Sequence, residues 1–272
     1  MATYVMSDIH GMYGPFMRRI KQLDNLKSVK SGEDKLILLG DYVDVGMNSY
    51  KVLQTIYDLK QEVGDNLIVL MGNHDKWFLR FLLTISSGWM SEKKSFEVIR
   101  AFLSEKEADE LKKLLKEPIA GIEKFDNASR YVSDIFQESH KDLIAWYKDL
   151  PLFYETDRQI YVHAGIDEKA GEKWKLATSD DMFTDKYPAS RGQFYKDIVA
   201  GHVSVSSLSN DRSFHDVFWD GASHFYIDGI DSYANNVWDD NRVIPLLVYE
   251  ETDGFGIYYS LSESGEKRVI KE

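Results

Sequence analysis

The sequence contains no cysteine, which excludes disulfides, thiolate metal ligands and a cysteine nucleophile. Proline is scarce, at five in 272 residues, and with only 18 glycines a collagen-like or low-complexity chain is excluded. Long apolar runs are also missing. The longest, Leu36–Leu39 and Leu67–Met71, fall far short of the roughly 20 residues of a membrane span. Met1–Met6 lacks the basic and apolar regions of a signal peptide, so a cytoplasmic setting with no membrane partner is expected. Basic charge is the minority, Lys+Arg 33 against Asp+Glu 45 for a net −12, which speaks against sequence-independent nucleic-acid binding. What remains is 43% hydrophobic, 13% aromatic and 29% charged, enough for a sizeable core in one large α/β unit or two smaller ones.

Short apolar runs alternate with longer amphipathic ones in the first third of the chain. Tyr4–Met6, Lys35–Leu39 and Leu67–Met71 read as strands. Met12–Leu26, with Phe16, Ile20 and Leu23 in phase, and Ser49–Gln61, with Val52, Ile56 and Leu59, read as the intervening helices. That alternation predicts parallel βαβ units. From Lys76 to Asp149 the pattern is helical, with Trp77–Ile85, Lys106–Lys116 and Asp142–Asp149 the clearest pieces, the last stopped by Pro151. Gln159–His163 and Asp197–Ala200 read as further strands, followed by Val217–Trp219, Phe225–Ile227, Ile244–Tyr249 and Gly256–Tyr259 as an antiparallel set. Ser204–Ser209 is expected to be a polar loop and Glu263–Glu272 a charged, frayed tail.

The chemically informative residues all fall at the carboxyl ends of predicted strands: Asp8 and His10, Gly40-Asp41 with Asp44, Gly72-Asn73-His74-Asp75, His163-Ala164-Gly165, and Gly201-His202. That edge is where open α/β sheets bind ligands. Carboxylate, imidazole and amide oxygen are donors for Mn, Fe or Zn, and a carboxylate can bridge two ions. Asp8 and His10, two residues apart, lie on one side of an extended backbone. Taken singly each is an ordinary turn, cap or core residue; five clusters at strand ends, the first three about thirty residues apart, are not. His140 on a charged helix and His215 in a polar loop read as surface residues, and His224 is left open.

As a set, these motifs, together with Trp146–Leu152 leading into His163, resemble those of the calcineurin-like metallophosphoesterases. Within that family they are most similar to the phosphoprotein phosphatase branch, which holds bacterial Ser/Thr protein phosphatases and symmetrical diadenosine tetraphosphatases. The resemblance implies one domain over 1–272, a β-sandwich of two mixed sheets flanked by helices, with 76–149 a helical insertion or cap. It also implies two divalent ions, manganese in the first place with iron or zinc as alternatives. Asp8 and His10 would bind the first ion, Asp41 would bridge both, and Asn73, His163 and His202 would bind the second. His74, oriented by Asp44, would donate a proton to the leaving oxygen during in-line attack by a bridging hydroxide.

One position departs from the family pattern: Gly40–Asp44 is followed by Val45-Gly46 where Arg-Gly is usual. Valine removes a bidentate phosphate contact; Lys76, Arg80 and Arg191 are weak candidates to replace it. After Ile227-Asp228-Gly229 a usual glycine pair is replaced by Ala234-Asn235-Asn236. The leading expectation is hydrolysis of phosphate monoesters, in the manner of a Ser/Thr protein phosphatase, on a phosphoprotein or small phosphoester. Diadenosine tetraphosphate hydrolysis is the close alternative, and a catalytically silent metal-binding protein the remote one.

Overall fold

The computed structural model describes residues 1–84, 93–116, 123–230, 242–252 and 254–272. Ile85, the end of one expected helix, and Ala234-Asn235-Asn236, named above, lie outside them. The chain builds two facing sheets, with strands numbered in chain order. In the first, β1 (Ala2–Met6), β2 (Lys35–Leu38) and β3 (Leu67–Val69) run parallel. The antiparallel β9 (Leu247–Thr252), β10 (Phe255–Leu261) and β11 (Lys267–Lys271) extend it from β1. The second sheet has the order β4 (Phe153–Glu155), β5 (Gln159–Val162), β6 (Asp197–Ser204), β8 (His224–Asp228), β7 (Phe218–Trp219), with β5, β6 and β8 parallel.

Strand periodicity of two divides each sheet's side chains between separate cores. Val5, Ile37, Leu39 and Leu70 from the first sheet meet Tyr161, Val199, Phe225 and Ile227 from the second. The alternate residues Met6, Leu36, Leu38 and Val69 face outward. They are covered by α1 (Tyr13–Gln22), α3 (Ser49–Val63) and α4 (Asn73–Thr84). On the opposite face Ile160, Val162, Ile198 and Tyr226 pack on Trp174, Phe183 and Phe194. The result is the four-layered α-β-β-α arrangement, with mixed sheets flanked by helices. Every described element between β3 and β4 is helical: α4, α5 (Lys93–Arg100), α6 (Glu105–Lys116), α7 (Glu123–Ser139) and α8 (Lys141–Lys148). Phe78, Val98, Leu111, Val132 and Tyr147 of these helices join the core on the outer face of the first sheet.

Several expectations are corrected. The helix expected over Met12–Leu26 stops at Gln22, because Asp24, Asn25 and Leu26 take φ of 49°, 52° and 61° before the short α2 (Lys27–Lys30). Asp and Asn tolerate that left-handed conformation and compete with helix through their side chains. Ser204–Ser209 is not a loop: Val205–Ser209 forms a short helix, anchored by Val205 in the core of the second sheet. The charged tail does not fray. Lys267, Arg268 and Lys271 of β11 pair with Glu250, Asp216 and Asp197, giving a charged edge strand. The late strands are not one antiparallel set, because β7 and β8 join the second sheet and β9 and β10 the first. His140 is partly buried rather than a surface residue: it donates from Nε2 to the Phe102 carbonyl at 3.0 Å and packs on Tyr50 and Phe136. His215 is exposed.

Candidate metal centre

The carboxyl ends of β1, β2 and β3 from one sheet and of β5 and β6 from the other meet at one edge of the sandwich. Turns there are tight. Asp8, His10, Asp41, Asp44, Val45 and His202 all have φ between 45° and 69°, a region that non-glycine residues seldom adopt outside sites where strain is held by the surrounding structure. His202 sits in a register shift of β6 between Ala200 and Ser204, a bulge that turns its ring toward the other sheet. Close approach also needs missing side chains. A Cβ on Gly72 would lie 2.1 Å from Asp41 Oδ1, and one on Gly201 2.1 Å from Asp8 Oδ2.

Asp8, His10, Asp41, Asn73 and His163 are buried, and Asp44, His74 and His202 border solvent. Asp41 is central. Its Oδ1 accepts from the His74 amide at 3.0 Å, at the start of α4, while Oδ2 lies 3.4 Å from His10 Nε2 and 3.5 Å from His163 Nε2. Asp8 accepts from the His202 amide at 3.1 Å and holds its other oxygen 3.8 Å from His10 Nε2. The far ring nitrogens are tied to backbone: His10 Nδ1 donates to the Val43 carbonyl at 3.1 Å and His163 Nδ1 to the Leu39 carbonyl at 3.2 Å. This backbone tether leaves each Nε2 facing the carboxylates. Asn73 Oδ1 faces His163 Nε2 at 2.9 Å and His202 Nδ1 at 3.1 Å.

These are acceptors facing acceptors. They are stable only with a cation between them, with protons on the rings, or with the Asn73 amide turned so that its NH2 points inward. Without a cation the carboxylates supply the second condition: burial pushes His10 and His163 down, but Asp8 and Asp41 outweigh it and hold both rings up at about 9. Burial likewise opposes ionisation of Asp8 and Asp41, yet His10 beside the first and His163 beside the second keep both below the ordinary carboxylate range. The donor set of carboxylate, imidazole and amide oxygen fits hard or borderline divalent ions. Ligand atoms of Asp8, Asp41 and His163 lie within 4.8 Å of one another, as do those of His10, Asp41 and His74. Both groups contain Asp41, and with Asn73 and His202 alongside, the edge offers donors enough for divalent cations.

His74 is placed differently. Its Nδ1 is 2.7 Å from Asp44 Oδ2, so its other nitrogen is free to act at the mouth of the site. Burial opposes the Asp44 charge, but the hydrogen bond with His74 holds its carboxyl below the ordinary range. Val45 follows Asp44 at φ 63°, an outlying conformation for a β-branched residue. Of the three basic residues considered above, Lys76 is 2.8 Å from Asp181, whose pKa is lowered by that lysine and also by the charge of Arg80. Arg191 donates to the Leu208 carbonyl and shares a cavity of about 330 Å³ with His202.

Two residues without an assigned role complete the centre. The buried Asp75 carboxylate accepts from the amides of Asp41 at 2.7 Å, Gly72 at 2.9 Å and Tyr42 at 3.0 Å, and from the Tyr147 hydroxyl. Asp75 was visible as part of its motif. Tyr147, 72 residues further on, stood within the Trp146–Leu152 motif, but nothing local pointed to its contact with Asp75. His224, left open above, is not at the centre: it is buried between Asp220, 3.0 Å away, and Glu168, 3.3 Å away.

The family model described as calcineurin-like phosphoesterase matches residues 1–235, a span that contains every residue of the centre. Symmetrical bis(5'-nucleosyl)-tetraphosphatases are among the similar curated proteins. That of Psychromonas ingrahamii is 33% identical over 225 residues, 82% of this chain and 60% of its own. That of Proteus mirabilis is 28% identical over 208 residues, 73% and 58% respectively. The chain thus spans less than two thirds of the length of these relatives. A solved structure of a cold-active protein-tyrosine phosphatase from a psychrophilic Shewanella shares the fold, with a TM-score of 0.58 at 16% identity over 99% of this chain and 80% of that one. No helix among the described residues is long and apolar enough to cross a membrane. With the four-layered fold, the converging ligand edge and a family match over most of its length, this chain belongs to the calcineurin-like phosphoesterase family.

Proposed function

We propose that this protein hydrolyses phosphate esters with two divalent ions, manganese first among them. Asp8 and His10 would hold one ion and Asn73, His163 and His202 the other, with Asp41 available to both. The observation that carries this reading is the set of acceptor atoms from two sheets aimed at one another around Asp41 Oδ2, with His10 and His163 tethered to backbone carbonyls. A buried cluster of that kind is costly unless cations neutralise it. Such ions, when bound, would acidify a water and offset the charge of the phosphoryl oxygens.

The chain's own residues do the rest. The carboxylate of Asp44 orients the His74 ring, with Nδ1–H toward Asp44 and the opposite nitrogen toward substrate. Carrying a second proton on that opposite nitrogen, His74 delivers it to the departing oxygen, which matters most when the leaving group is a poor one. The chain is read as a single catalytic unit in which the helices of 76–149 border the His74 side.

His74→Asn tests this. With phenyl phosphate and Mn²⁺ the variant should lose roughly 10²- to 10⁴-fold in kcat. With p-nitrophenyl phosphate, whose phenolate leaves without a proton, the loss should be smaller, and bound manganese should remain at two per chain. Equal losses on both substrates would remove His74 from the proton-donor role. A second reading, cleavage of dinucleoside polyphosphates, is favoured by the similarity to tetraphosphatases, whereas phosphoprotein hydrolysis rests on the motif resemblance alone. Side-by-side rates on diadenosine tetraphosphate and a phosphoserine peptide separate the two.

A further inference from the structure

We infer that Trp77 binds the leaving group, and that the site favours phosphate esters in which a flat aromatic ring lies within a few bonds of the scissile oxygen. This rests on the phosphoesterase reading and on His74 as proton donor. Trp77 follows His74 by three residues on α4, a spacing that puts both on one helix face. Their ring centroids are 4.6 Å apart with the planes tilted by 52°. Trp77 is nevertheless 45% exposed, so the indole is only partly covered by its contact with His74. A leaving group that takes a proton from His74 extends past this indole surface.

The surroundings favour an uncharged, flat occupant. Lys76 is engaged by Asp181 and Thr184, so this cation of α4 is directed to that acid. The loop carrying Asp44 continues with Val45 in place of a cation, and with Met47, which is 58% exposed. A guanidinium at Val45 would have gripped any phosphate regardless of what it was attached to. With that grip absent, a larger share of the discrimination falls to the rest of the ester. An exposed indole recognises aromatic rings such as nucleobases better than it recognises acidic peptide side chains.

The test is a matched pair, benzyl phosphate against cyclohexylmethyl phosphate, of similar size and leaving-group basicity but differing in aromaticity. The manganese enzyme should prefer the benzyl ester roughly two- to tenfold in kcat/KM, with the difference in KM because the ring contact persists from ground state to transition state. Trp77→Leu should bring the ratio close to one, and Trp77→Phe should restore part of it. A wild-type ratio near one overturns the proposal. So does a ratio that survives Trp77→Leu, including the case where kcat for both esters falls together, which would make Trp77 only a support for His74. If the manganese-loaded wild type turns over neither ester nor p-nitrophenyl phosphate, the phosphoesterase reading itself fails.

Discussion

Replacing Asp75 with asparagine should weaken metal binding through the Asp41 turn without touching a ligand. Asp75 Oδ2 accepts from the amides of Asp41 and Gly72, and Oδ1 from Tyr42 and the Tyr147 hydroxyl. An amide has one acceptor oxygen. In its better orientation it keeps the Asp41 and Gly72 bonds and sets an NH2 against the Tyr42 N–H, while the Tyr147 hydroxyl can turn to accept. One buried N–H is then left unpaired, at about 1–3 kcal/mol, and the surviving bonds lose their charge assistance. Against this, burial and the charge of Asp41 both raise the Asp75 pKa, so removing the Asp75 charge relieves some repulsion. The net destabilisation should be about 2 kcal/mol, with manganese affinity lowered roughly 10- to 100-fold, the range for partners that orient metal ligands. Urea unfolding of the apoprotein and calorimetric titration with Mn²⁺ measure the two effects separately. Tyr147→Phe, which leaves no buried donor unpaired, should show a smaller loss in both, and the double variant less than the sum. Manganese affinity within twofold of wild type in Asp75→Asn, alongside lost stability, would refute the idea that this carboxylate holds the ligand turn.

Two further outcomes can be checked. Val45→Arg should lower KM for phosphate monoesters and, by removing a β-branched side chain from φ 63°, leave stability equal or slightly higher; an unchanged KM would show that another residue, such as Arg191, which shares a cavity with His202, already serves the phosphate. The acid limb of stability should depend on Glu168. Burial pushes this carboxyl up, but its hydrogen bond to His224, with Ser190 and Lys186, holds it at about 2 against an ordinary 4.5. A depressed carboxyl stabilises the fold above its unfolded pKa and loses that contribution as pH falls through the folded one. Wild type should therefore lose up to about 3 kcal/mol more than Glu168→Gln between pH 5 and pH 2, measured by chemical denaturation, and parallel curves for the two proteins would contradict this.

Local rules reached a long way in this chain. Apolar periodicity located β1, β2, β3 and the helices between them, because those patterns depend on neighbours within a few residues. The chemistry-bearing clusters were visible because each follows an apolar run and contains a glycine that permits close approach. What the tertiary structure alone decided were relations between distant segments. His163 and His224 both belong to strands or strand ends of the second sheet; only the packing of the two sheets brings one to 3.5 Å from Asp41 and buries the other between Asp220 and Glu168. The tail read as frayed because its charges looked solvated, whereas their partners, Glu250, Asp216 and Asp197, arrive from other strands. Tyr147 was invisible as a support of the metal turn for the same reason. A hydrogen bond spanning 72 residues leaves no periodic trace in the sequence, since it depends on where the folded helices set their side chains rather than on their spacing along the chain.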